Sequence, residues 1–261
     1  MTMKVRNGSV SSDKVNNCEG LCGSTSSSVS WIFKTMHCVK WRNSPALSNQ
    51  AYVPTTVEHV ANILTHGLLI IPSAWASRDL MSRSQSWAQY LSALVYGSSL
   101  VLLFLMSTSF HTVHFCGLSR YLKDILHRTD RAMIYVFIAA SYFPWLMLGP
   151  VASDGIGSHL WWLIWVLAFC GILYQQLFHE RYKTLETIFY CFMGIAPATT
   201  IMPKDDFHGL TELKLGGLIY LIGVSFFKCD GRIPCAHAIW HLMVAWAAAT
   251  HYNAVQKYLY P

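Results

Sequence analysis

The sequence predicts an all-α membrane protein, a seven-transmembrane helix bundle. Three observations carry this. The 261 residues hold 19 Lys and Arg and 13 Asp and Glu, so 12% are charged, against roughly 25% in an ordinary soluble domain. The hydrophobic fraction is 53%, with ten Trp. The charges are also unevenly spread. None occurs in 59–77, 84–119, 132–153, 155–179, 187–203 or 233–256, and about 20 apolar residues span a bilayer as a helix. A soluble enzyme, a nucleic-acid binder and a disulfide-stapled secreted domain are thereby excluded. The net charge of +6 fits basic residues gathered in cytoplasmic loops, with no nucleic acid as partner. Eight Cys show no repeated spacing that would suggest a disulfide framework. With no early apolar stretch, a cleaved signal peptide is not expected.

Residues 1–50 form a separate segment with ten Ser and six Lys or Arg, the composition of a mostly disordered tail. Cys18, Cys22, His37 and Cys38 are too irregularly spaced to argue for a zinc site there. Asn7-Gly8-Ser9 is a glycosylation sequon, usable only in a lumenal tail. Residues 51–261 form the membrane domain. Its spans are expected near 57–76, 87–111, 131–149, 158–178, 184–203, 210–228 and 234–254. Lys214 shortens the sixth apolar run to 215–227, but a Lys near a helix end can snorkel to the interface. Gly216, Gly217 and Gly223 would admit a close neighbour there. Pro144 and Pro197 fall inside spans, which a bundle tolerates.

Orientation follows from the basic residues. A cytoplasmic tail puts 14 of them inside and 5 outside; without the tail's own six the balance is 8 to 5. The expected arrangement is therefore N-terminus in the cytoplasm and C-terminus out, which leaves the sequon unused.

An ionisable residue inside a span is a functional-site hypothesis by default. The second span closes on Ser107 and His111, the third opens at Asp130, and the seventh begins with His237 and His241. Each i,i+4 pair shares a helix face. With seven spans, His111, Asp130, His237 and His241 lie at one depth, whichever way the protein faces. With six, the last pair moves to the opposite side, so the polar residues themselves favour the sixth span. Three His and an acid at one depth suit zinc, which prefers imidazole. Three His with an open water position make a catalytic site, in which zinc lowers the water's pKa to about 7. Asp130 could hold that water and take its proton, and Ser107 could donate to a ligand or an oxyanion. A structural zinc clamping three helices is the alternative, with Asp130 as fourth ligand. A hydrogen-bonded helix contact accounts for any one of these His by itself. The first span carries Glu58, His59, Asn62 and His66, to which spacing gives no role beyond helix contact.

Over about 52–261 the sequence resembles the progestin and adipoQ receptor family, most closely its monocyte-to-macrophage differentiation factor branch. The matching motifs are Glu58-His-Val-Ala-Asn62 with Thr65-His66, Ser107-Thr-Ser-Phe-His111, Asp130-Arg-Ala-Met-Ile-Tyr135 through Ala139-Ala-Ser-Tyr142, Gly216-Gly-Leu-Ile-Tyr220, and Phe227-Lys-Cys-Asp-Gly231 running into His237-Ala-Ile-Trp-His241. The resemblance implies seven helices, a cytoplasmic N-terminus and a zinc held by His111, His237 and His241 near the cytoplasmic side. It implies Asp130 and Ser107 as the matching acid and serine. The wider superfamily includes alkaline ceramidases and the hemolysin III group. Two functions follow as expectations. One is a receptor-like Golgi membrane protein that promotes Ras–ERK signalling through cytoplasmic partners. The other is a zinc-dependent hydrolase of a ceramide-like lipid amide in the bilayer. A pore is disfavoured because the polar residues cluster at one depth and do not line a path across the bilayer.

Overall fold

The structure, a computed structural model, describes residues 40–46, 50–149, 155–201 and 209–261. The chain divides into two units, Met1–Lys40 and Trp41–Pro261, and the description below concerns the second. The Ser-rich stretch, the sequon and the first three Cys lie outside the described residues, as does His37.

Helices α1 (Thr56–Gly67) and α2 (Ile70–Arg83) form one broken rod. The break falls at Gly67, and Pro72 has no N–H to return to Leu68. There follow α3 (Trp87–Phe115), α4 (Arg120–Leu148), α5 (Leu160–Leu177), α6 (Lys183–Ile201), α7 (Leu210–Phe227) and α8 (Ala236–Leu259). Side chains define the first starts. Thr55 accepts from the Glu58 N–H at 3.3 Å and Ser86 from that of Gln89 at 3.2 Å, each satisfying one orphan donor of a helix N-terminus.

Among the described residues, five stretches are long and apolar enough to cross a membrane: Thr56–Arg83, Trp87–Phe115, Arg120–Leu148, Gly157–Leu177 and Leu210–Phe227. The doubtful sixth span is among them. Helices α6 and α8 are not. Helix α8 carries His237, His241, Thr250, His251 and Asn253, so the polar residues of interest are what lower its hydropathy. The outside of the bundle is apolar, with Ile71, Trp75, Phe169, Leu177 and Trp246 all more than half exposed. A water-facing helix would be polar on that side.

Two boundaries correct the sequence reading. Asp130 does not open the third helix but lies ten residues into α4, which starts at Arg120. Scarcity of charge marks where a helix enters lipid, and α4 begins before that point with Arg120, Lys123, Asp124 and Arg128. The first rod likewise runs on past 76 to Arg83.

Packing brings distant elements together. Helices α2, α3, α4 and α8 share one core that includes Leu80, Tyr96, Leu100, Phe104, Phe137 and Val244. A second core joins α4, α5 and α6 through Tyr135, Ile164, Ala168 and Tyr190. Helix α7 lies close along α8. A Cβ on Gly216 would stand 2.2 Å from the His251 ring, and one on Gly223 2.8 Å from Trp240 and Met243. Gly217 departs from expectation: a Cβ there would meet nothing within 4 Å, because it faces a cavity. Helices α6 and α7 touch only sparsely.

Candidate metal centre

Helix α3 presents His111, and the first turns of α8 present His237 and His241 from one face. One ligand atom from each converges within 4.8 Å of the others, and all three residues are buried. Their ring centroids are 4.7–5.3 Å apart. This group could hold a metal ion.

Helix α1 and the turn before α8 supply the partners of these imidazoles. The Asn62 amide lies 3.5 Å from His111 Nδ1, Thr65 Oγ1 3.1 Å from His241 Nδ1, and Asp230 Oδ2 3.5 Å from His237 Nδ1. Thr65 and Asp230 set an oxygen beside the Nδ1 of His241 and His237, which leaves the Nε2 edges of those two for a cation; at His111 the neighbour is the Asn62 amide nitrogen. His111 Nε2 is buried with no hydrogen-bond partner among the described residues. The donor set fits a borderline divalent metal, and outer-shell partners on the second nitrogen are what metal-bound histidines require. His66 stacks on His241 with centroids 3.7 Å apart, and its Nδ1 lies 2.8 Å from Ser107 Oγ. Ser107 also interacts with the Asp130 carboxylate. Asp130 is not among the atoms converging within 4.8 Å, yet it lines the same cavity as Ser107, His237 and His241.

That cavity is about 1130 Å³. Its walls are mainly apolar, with Leu103, Ile134, Phe137, Leu218 and Val244 among them. Tyr52 closes over the histidine end. It stacks on His237 at 4.8 Å and accepts a hydrogen bond from Asn62 Nδ2 at 2.9 Å. Burial, then the charges of Asp230 and Glu58, hold its hydroxyl well above the usual range, so it stays protonated.

A second group, His127, His179 and Glu180, could also hold a metal. There Glu180 is already engaged, pairing with Arg131 and at 2.7 Å with Lys183. Arg131 binds Glu186 as well, and Tyr190 donates to Glu186 at 2.7 Å and to the Arg131 carbonyl at 3.2 Å. This buried network ties the turn of α4 that carries Asp130 to α6.

The structure brings together His111, His237 and His241, with Ser107 and Asp130 beside them. Sequence reading missed Tyr52, Thr65 and Asp230, and left Asn62 and His66 without a role. The i,i+3 and i,i+4 spacing of Asn62, Thr65 and His66 on one helix face was the available signal.

Residues 55–252 match the Haemolysin-III related family. The chain belongs to that family. The match takes in Ser107, His111, Asp130, His237 and His241. Among curated haemolysin-III relatives, the monocyte to macrophage differentiation factor of Homo sapiens is 47% identical over 225 residues, covering 85% of this chain and 92% of that protein. Hemolysin-3 of Bacillus cereus is 33% identical over 213 residues, covering 78% and 93%. With five stretches able to cross a bilayer among the described residues, this haemolysin-III family member is a multi-pass membrane protein whose environment is lipid.

Proposed function

We propose that the chain is a zinc protein of the bilayer that hydrolyses a lipid amide, of which ceramide is the type. The observation that carries this reading is the placement of Asp130. Three imidazoles converge, while the acid stands outside their 4.8 Å set on the wall of the same cavity. A structural zinc usually closes its four positions with protein ligands; three protein ligands with an acid set apart from them support a site whose fourth partner would be water.

His111, His237 and His241 would hold the ion, which supplies Lewis acidity at that point when bound. The cavity holds the acyl chain and excludes water from most of its length. Asp130 takes a proton from the attacking water as the water oxygen bonds to the amide carbonyl carbon, and gives it to the amine nitrogen as the C–N bond breaks. Ser107, fixed by His66, donates its one hydroxyl proton to Asp130 and so orients that carboxylate. In this reading α6 and α8 complete seven spans, with the N-terminus cytoplasmic and the C-terminus lumenal. Residues 1–50 are then a cytoplasmic tail. The basic-residue balance supports that orientation.

A receptor-like role at the Golgi, promoting Ras–ERK signalling through cytoplasmic proteins, is the second reading. It is supported by the 47% identity to the differentiation factor, and a product of hydrolysis could be its signal. Tagged protein found outside the Golgi, with unchanged ERK phosphorylation on overexpression, would sink it.

The test of the first reading is turnover by purified protein on ceramides of several chain lengths. Asp130→Asn is expected to keep metal and fold and to lose turnover. Metal-loaded wild type inactive on every lipid amide tested would rule the hydrolase out.

A further inference from the structure

We infer that the lipid taken into the cavity carries an anionic headgroup, met by Arg181, Lys228 and Arg232 at the histidine end. The inference rests on the reading of this cavity as the lipid site, and it narrows the class of lipid.

The cavity runs beside α7 from Lys214 to Lys228, which at 1.5 Å per residue is about 21 Å. One leaflet's hydrocarbon is about 15 Å deep, half of the roughly 30 Å core. An extended acyl chain therefore fits along it, between apolar walls. The two ends differ in charge. Away from the histidines the described lining holds one cation, Lys214. At the histidine end the α5–α6 and α7–α8 turns place Arg181, Lys183, Lys228 and Arg232 on the lining.

Three acids line that end, each with a neighbour: Glu180 pairs with Arg131 and Lys183, Asp230 faces His237, and Asp130 accepts from Ser107. Arg181, Lys228 and Arg232 are exposed and have no ion pair among the described residues. Arg181 lies 5.3 Å over the Tyr182 ring, and Lys228 is 3.4 Å from Thr184 Oγ1. Both contacts leave the charge unneutralised. A general excess of basic residues on cytoplasmic loops would account equally for Arg120, Lys123 and Arg128, yet those three do not line this cavity. The cations thus gather where the polar end of a lipid in the cavity would lie. Charge complementarity selects an anion there over a neutral diol.

Ceramide 1-phosphate and ceramide differ at the headgroup alone, so they make the test. Each is titrated, with matched acyl chains, into full-length wild-type protein in nanodiscs of neutral lipid. Ceramide 1-phosphate is expected to bind at least tenfold more tightly, at roughly fivefold per basic residue near an anionic headgroup. Raised salt should erode the preference. Arg232→Gln combined with Lys228→Gln should remove most of it, with thermal unfolding of the variant confirming an unchanged fold. Equal affinity for the two lipids, no binding of either, or a preference that survives the double variant would each overturn the inference. Zinc content and amide turnover are read separately. Protein that turns over ceramide without a headgroup preference refutes this inference alone. A preference without turnover refutes the hydrolase and keeps the anionic site.

Discussion

Three neighbours decide how the imidazoles face the common centre: Asn62, Thr65 and Asp230, each beside an Nδ1. Loss of such a partner typically costs a metal site 10–100-fold in affinity. Asp230→Asn is therefore expected to weaken zinc binding by roughly that factor while the fold is kept, measured by competition with a chelator of known affinity. Unchanged affinity would show that Asp230 does not orient His237. At this scale the sequence was legible for the three histidines that converge and not for their partners. His237 and His241 declare a shared face by spacing, and charge-free runs left few other intramembrane candidates. Thr65 and His241, by contrast, are 176 residues apart, and no local pattern couples them. Asp230 falls within the matching motif Phe227-Lys-Cys-Asp-Gly231, yet nothing in that run couples it to His237.

Helix existence was legible nearly throughout, because apolar runs of bilayer length have one solution when backbone groups must be satisfied internally. Each of the seven expected spans overlaps helix among the described residues, including Leu210–Phe227 with its interrupting Lys214, while five stretches are long and apolar enough to cross a bilayer. Helix starts were not legible, as α4 shows: Arg120–Thr129 is helical without being apolar. The glycines of α7 read alike in sequence but differ in what they meet. Gly223→Val would overpack Trp240 and Met243, a change that typically costs about 1–3 kcal/mol, and should lower the unfolding temperature in detergent. Gly217→Val should leave that temperature unchanged, since a Cβ there meets nothing, while narrowing the cavity and weakening lipid binding. Equal destabilisation by both would contradict the packing of α7 described above.

Across the unit Trp41–Pro261, an apolar exterior surrounds a polar site where residues of α1, α3, α4 and α8 meet. Helix order alone put His111 and His237 on the same side, which is why the site could be anticipated without contacts. The cavity could not be anticipated, because a space between helices leaves no periodic mark in the chain. The central claim is a metal held by three helix-borne histidines, and elemental analysis of purified full-length protein tests it most directly. Wild type is expected to carry zinc that His237→Ala and His241→Ala lose together, while His127→Ala and His179→Ala retain it. Wild type free of metal, or zinc that survives loss of both His237 and His241, would contradict the account.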